Sequence, residues 1–302
     1  MKYLEGVITA MVTPFDADGS VNLGKMASLT EFLIGKGVNC LYPLGTTGEC
    51  MRLSEQERKD VAETVVKTAS GRVTVYIHVG AVTEEETISL AKHAEAIGAD
   101  GIGVVTPIYF GMNEREISEY FIRVANSVSK NFPVYLYGIP QCAANDISVK
   151  VASTVAEKCS NVVGIKYSFP DVLKMDEFLR IRNNTFRVVP GTDRLFLPEL
   201  AMGCDGVISG ISCVFPEPFV AVYKAYKTGD IEKTRYYQRF ATDYCNVLRN
   251  GANMSYFKKG LALRGVDVGV MKKPQLDLTD AEFNQYKLEV ESLNKKAGEL
   301  FV

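Results

Sequence analysis

The 302-residue sequence predicts a (β/α)8 TIM barrel with a C-terminal helical appendage, and three observations carry the prediction. Short β-branched apolar runs recur about every 30 residues. The segments between them have helical periodicity and several open with capping residues. After the eighth run, no further strand-like stretch occurs.

The runs begin near Val7, Val38, Val73, Gly101, Pro133, Val162, Arg187 and Gly206. Their near-continuous apolar character suits parallel strands covered on both faces, because a half-exposed strand would alternate polar and apolar residues. Between them, Ser54 with Glu57, Thr83 with Glu86 and Asn113 with Glu116 read as capping boxes, in which side chain and backbone satisfy each other's free groups. The eighth unit is expected to end near residue 227, with a break at Gly229–Asp230. Helices are expected over 230–249, 253–264 and 279–297, the last opened by Thr279 with Glu282 and separated from the second by Pro274. The expected division is a barrel over 1–227 that carries the active site and a helical domain over 228–302.

Composition narrows the function. Apolar residues make up 47% and charged residues 23%, as in ordinary globular chains. The net charge of −2 provides no basic field for nucleic acid or an anionic membrane. An uncharged stretch such as Phe132–Asn145 falls short of the ~20 residues that span a bilayer. Glu5 interrupts the apolar core that a signal peptide would need after Lys2. Seven scattered cysteines without a CxxC pair suggest reduced thiols and a cytoplasmic location. With only His78 and His93, a three-histidine zinc site is excluded, and no metal is expected.

Barrel enzymes carry their reacting groups at the C-terminal ends of the strands. The sixth run ends Gly164-Ile165-Lys166, directly behind apolar and small residues. A lysine there either snorkels to water or is desolvated, and a desolvated amine loses its proton more readily and can add to a ketone. The fifth run ends Tyr137-Gly138-Ile139-Pro140, so Tyr137 is a candidate proton relay one strand away, or else a core tyrosine. The second exit, Gly45-Thr46-Thr47-Gly48-Glu49, offers hydroxyls and free amides to a small carboxylate, or forms an ordinary turn.

Together with Val105–Tyr109 (VTPIY), these exits resemble the N-acetylneuraminate lyase / dihydrodipicolinate synthase family of class I, pyruvate-dependent aldolases, and the likeness runs over the whole chain. The resemblance implies that Lys166 forms a Schiff base with pyruvate or another 2-keto acid and that Tyr137 shuttles protons. It implies that Gly45, Thr46 and Thr47 bind the pyruvate carboxylate, with Thr47 also in the relay. Tyr109 would complete that relay in a neighbouring subunit of a homotetramer, and Ile208 would lie against pyruvate through its backbone. No cofactor is implied beyond the covalent lysine imine. The partners are small molecules, a 2-keto acid and an aldehyde.

Two departures from the family pattern bear on the aldehyde. Dihydrodipicolinate synthases carry an arginine two residues after the proline of the tyrosine motif; Cys142 stands there, and Gly138 replaces an asparagine. Losing that charge-assisted pairing would cost aspartate semialdehyde about 2 kcal/mol of binding. The seventh exit, Gly191-Thr192-Asp193-Arg194, matches a sialic acid lyase pattern at Gly191 and Asp193 but has Arg194 for glutamate. Arg194 is therefore a candidate for an anionic end of the acceptor and Asp193 for a hydroxyl; otherwise Asp193 starts a helix and Arg194 faces solvent. Ser54–Arg58 lacks the histidines of lysine-sensitive synthases, so lysine feedback is not expected. The favoured reaction makes or cleaves a 2-keto-3-deoxy sugar acid or similar 2-keto acid. The alternatives are a 4-hydroxy-tetrahydrodipicolinate synthase, a 2-keto acid dehydratase and a catalytically idle 2-keto-acid sensor.

Overall fold

A computed structural model describes residues 1–298. Eight parallel strands follow one another around a barrel: β1 Gly6–Ala10, β2 Cys40–Tyr42, β3 Thr74–His78, β4 Gly101–Val105, β5 Val134–Gly138, β6 Val162–Tyr167, β7 Arg187–Pro190 and β8 Gly206–Ser209. β1 pairs with both β2 and β8. Between β7 and β8 the ring is drawn together by Asp205, whose amide donates to Val188 O at 2.9 Å and whose carboxylate accepts from the Val188 amide.

The barrel helices are α1 Leu23–Gly35, α2 Glu55–Ala69, α3 Glu84–Ala96, α4 Glu114–Asn126, α5 Val149–Lys158, α6 Val172–Leu179, α7 Phe196–Met202 and α8 Pro216–Lys227. Complete capping boxes start α2 at Ser54 and α4 at Asn113. At Thr83 the hydroxyl accepts from the Glu86 amide, which caps α3. Each cap satisfies amides that the first helical turn leaves without partners, so these polar residues set where each helix begins.

Strand side chains alternate between two cores. Those facing outward, such as Val7, Leu41, Val75 and Ile165, pack under the helices. Those facing inward, including Ile8, Tyr42, Tyr76, Tyr135, Val189 and Ile208, fill the barrel. Three large rings fit inside only because strand neighbours are small: a Cβ on Gly103 would fall on the Tyr42 hydroxyl. The barrel is therefore a packed core, and its open end is where the strands terminate.

After α8 the chain turns at Gly229 and continues as α9 Ile231–Val247, α10 Met254–Leu263 and α11 Asp280–Ala297, the last begun by the Thr279–Glu282 capping box. α9 lies along α8, and α11 packs on α9. This segment also reaches the strand ends: Gln238 of α9 donates to Asp193 O at 3.2 Å, and Lys258 of α10 sits beside Glu49. No described helix is long and apolar enough to cross a membrane.

Candidate active site

Lys166 and Tyr137 are register partners on β6 and β5. Lys166 is 4% exposed. Its Nζ lies 3.8 Å from the centroid of the Tyr137 ring and 4.5 Å from that of Tyr42. No carboxylate is ion-paired with it among the described residues. Burial among aromatic rings disfavours the ammonium and pulls the pKa down to about 7, despite the opposing influence of Cys50 and Asp193. The lysine is desolvated rather than snorkelling.

The Tyr137 hydroxyl shares a hydrogen bond of 3.2 Å with Thr46 Oγ1. Burial pushes the phenol's pKa up, so it remains a proton carrier rather than a phenolate. Thr46 and Thr47 stand in a loop whose flanking residues, Leu44 and Glu49, both take left-handed backbone conformations at φ of 65° and 57°. Non-glycine residues hold such angles only when surrounding structure enforces them. The His78 ring does part of this through its Nδ1, 2.8 Å from Leu44 O. Thr47 Oγ1 comes close to Gly210, just past the end of β8. Ile208 is buried in the inward layer of β8 beside Tyr42.

Two cavities border this strand mouth. One, about 480 Å³, is lined by Thr46, Arg52, His78, Tyr137 and Cys142 among others. Cys142 is exposed there with a free thiol. The other, about 360 Å³, is lined by Gly191, Thr192, Asp193, Arg194, Ile211 and Cys245 among others. A side chain on Gly191 would collide with Ser168, so the backbone alone borders the cavity at that point. Asp193 accepts from the Ser209 hydroxyl, and burial raises its pKa to about 6 despite that donor and Lys166. Arg194 is exposed and its guanidinium donates to the Asn246 side chain. Asp193 does begin a short helical turn, as one of the two sequence readings has it.

Tyr109 is the predicted residue that the fold keeps apart. It is 83% exposed, has φ of 75°, and packs edge-on against Phe110, which is also exposed. Within one chain it does not line either cavity at the strand mouth.

Several neighbours of the site were not singled out from sequence. His78 is fully buried, its pKa held well below the ordinary value by burial and by nearby Arg58 and Lys166, so its ring is neutral. Glu199 is buried, accepts from the Thr192 hydroxyl, and has a pKa pushed up to about 8 by burial and by Asp193. Glu49 and Lys258 form an ion pair of 3.2 Å with side chains only 2% and 0% exposed. Glu49 belongs to a motif legible in the chain, but its partner lies 209 positions later on α10, beyond any local pattern. The Glu49–Lys258 pair ties the Thr46–Thr47 loop to the C-terminal segment, and Lys258 also donates to Val270 O at 2.7 Å. Removing one member of such a pair strands the other. Lys258→Met is expected to lower stability by about 3 kcal/mol in urea unfolding and to raise KM for the 2-keto acid. Unchanged stability and KM would show that the pair does not support the loop.

Among the described residues no cluster of three or more His, Cys, Asp or Glu is placed to hold a metal ion.

A parallel barrel with a desolvated lysine and a phenol at the strand mouth has the form of a class I, lysine-imine carbon–carbon lyase. The chain belongs to the dihydrodipicolinate synthetase family, whose model matches residues 3–293. An uncharacterized DapA-like lyase of Halobacterium salinarum is 36% identical over 278 residues, covering 92% of this chain and 90% of that protein. A probable 2-dehydro-3-deoxy-D-pentonate aldolase of Escherichia coli, YjhH, is 34% identical over 238 residues, 76% of this chain and 77% of that one. The structure of YagE, a prophage protein of the dihydrodipicolinic acid synthase family from E. coli K12 in complex with pyruvate, superposes with a TM-score of 0.91 at 31% identity, covering 97% and 99% of the two chains. The chain is thus a class I pyruvate aldolase or lyase by family, and that family works through a covalent lysine Schiff base without an added cofactor.

Proposed function

We propose that this enzyme joins pyruvate to an aldehyde, or releases it from the corresponding 2-keto-3-deoxy sugar acid or similar 2-keto acid, with Lys166 as the imine-forming residue. The observation that carries this reading is the burial of Lys166 in register with Tyr137 at the end of β6.

The chemistry follows from the groups in place. The free amine of Lys166 adds to C2 of pyruvate and water leaves, giving an imine. The cationic imine acidifies the C3 methyl, and loss of that proton gives an enamine. Enamine carbon attacks the aldehyde carbon, forming the C–C bond, and water then hydrolyses the imine. Each stage moves protons, and Tyr137, hydrogen-bonded to Thr46 at 3.2 Å, can carry them. Gly45, Thr46 and Thr47 supply amides and hydroxyls for the pyruvate carboxylate, and the Ile208 backbone borders the methyl group. Exposed Tyr109 is assigned to the relay of a neighbouring subunit in a homotetramer. Gly191, Asp193 and Arg194 border the space into which a hydroxylated acceptor extends. Residues 1–227 would hold the reacting groups, and 228–302 would brace the strand mouth from outside. The location proposed is cytoplasmic.

The absence of an arginine at Cys142 weighs against 4-hydroxy-tetrahydrodipicolinate synthesis. A dehydratase would share the imine but release water instead of pyruvate.

The test is borohydride trapping with pyruvate across pH 5.5–9, read by intact mass and peptide mapping. A pyruvyl adduct on Lys166 is expected. Only the unprotonated amine is nucleophilic, so trapping should rise about tenfold per pH unit below pH 7 and level off above about pH 8. No adduct with pyruvate or larger 2-keto acids would move the sensor reading to first place.

A further inference from the structure

Arg58 of α2 is 1% exposed, and among the described residues no carboxylate forms an ion pair with it. Its guanidinium grips backbone instead: Nη1 donates to Gly80 O and Nη2 to His78 O, each at 3.0 Å. Those carbonyls lie where β3 ends. A buried cation is costly, and charge-assisted bonds to two carbonyls offset that cost while fixing the backbone they hold.

The same stretch of chain holds the loop that carries Thr46 and Thr47. The His78 amide donates to Pro43 O at 3.3 Å, and the ring Nδ1 lies 2.8 Å from Leu44 O. A carbonyl only accepts, so Nδ1 carries the proton and donates. With the ring neutral, Nε2 is then a bare acceptor; it has no hydrogen-bond partner, and a Cβ added to Gly80 would lie 3.1 Å from it. The ring also stands edge-on to Tyr137, with centroids 5.7 Å apart. It is thus wedged between Gly80, Tyr137 and Leu44. Its one hydrogen bond is made at Leu44, where the backbone takes the left-handed φ of 65° directly before Gly45. A single path of contacts runs from Arg58 through the end of β3 to His78, and from His78 to the start of the loop.

We propose that Arg58 and His78 are positioning residues for the donor carboxylate: acting in series, they hold the Gly45–Thr47 backbone in the shape that binds the carboxylate of a 2-keto acid, and so set the preference for a charged donor. This rests on the aldolase reading above, in which that loop binds the carboxylate. Neither residue is assigned a bond to substrate. Small displacements of binding groups cost affinity, so the two act through where they place the loop's amides and hydroxyls.

The experiment measures borohydride trapping on Lys166 with pyruvate and with methyl pyruvate, its uncharged ester, and reads the concentration of each that gives half-maximal trapping. Wild type is expected to need at least about tenfold less pyruvate than methyl pyruvate. Arg58→Met and His78→Leu should each raise half-saturating pyruvate about tenfold or more and half-saturating methyl pyruvate by less than about threefold. The loss should fall on half-saturation far more than on the maximal rate, and the pH midpoint of trapping should stay near 7. His78→Asn, whose amide can donate to Leu44 O, and Arg58→Lys should each recover part of the loss. Because the two residues act in series, the double variant Arg58→Met/His78→Leu should be no worse than the worse single variant. Equal losses for the two donors would show a general loosening of the fold and overturn the proposal. Multiplied losses in the double variant, or unchanged half-saturation in both single variants, overturn it too. Equal use of the two donors by wild type also overturns it, while the trapping itself leaves the aldolase reading intact. Should Arg58→Met not fold, Arg58→Lys and the two His78 variants carry the same comparison. Failure of wild type to trap either donor defeats the aldolase reading, and this one with it.

Discussion

Lys166→Met is expected to abolish the pyruvate adduct, lower kcat/KM by at least about 10⁴-fold, and make the protein more stable at the same time. The two effects share one cause. An unfolded lysine holds its proton until about pH 10.4, whereas the buried Lys166 amine lets go near 7. Below pH 7 the native state carries the full penalty of a buried ammonium, on the order of 4 kcal/mol from that difference in pKa. Between pH 7 and about 10 the unfolded chain binds more protons than the native one, so this contribution makes stability rise with pH. Met replaces the amine with apolar volume and has no such term. The stability gain of the variant should therefore be largest at or below pH 7, about 2 kcal/mol or more by urea unfolding, and shrink toward pH 10. A gain that does not depend on pH would mean that Lys166 is better solvated than its burial indicates, and a variant that still traps pyruvate would place the imine elsewhere.

Tyr137→Phe isolates the hydroxyl. The ring stays 3.8 Å from the amine and keeps it dry, while the link to Thr46 is lost. Proton relays of this kind contribute about 10²–10⁴-fold. A loss in kcat within that range is expected, with a smaller change in KM for pyruvate and with Lys166 still trapped, more slowly. The pH midpoint of trapping should stay near 7, because the burial that sets it is unaltered. Full activity in this variant would remove Tyr137 from the mechanism.

Some of this could be read along the chain because its cause is local. Strand runs and capping residues act over a few positions, so β1 to β8 fall where the apolar runs predict, and the starts at Ser54, Asn113 and Thr279 carry both halves of the capping box. A lysine directly after Gly164 and Ile165 is visibly out of place in an apolar run, which is why Lys166 stands out. The resemblance of four short motifs then converts that oddity into a mechanism.

Other features depend on which distant residues meet. Whether Lys166 is wet or dry turned on Tyr42 and Tyr137 closing over it from two other strands. The two readings of Arg194 were equally compatible with its local sequence; only the fold places Asn246 of α9 against its guanidinium. Glu49 looks committed to neighbouring Arg52 until Lys258, on a helix beyond the barrel, takes its other oxygen.

The sequence by itself determined the strand and helix order, the capping residues and the identity of the amine, because hydrophobic period, cap chemistry and motif spacing are properties of neighbouring residues. Only the tertiary structure decided the protonation of that amine, the sharing of Glu49 between two cations and the cavity each arginine faces. Desolvation and Coulomb interactions act through space, and closing the barrel brings together groups that lie as many as 209 positions apart in the chain.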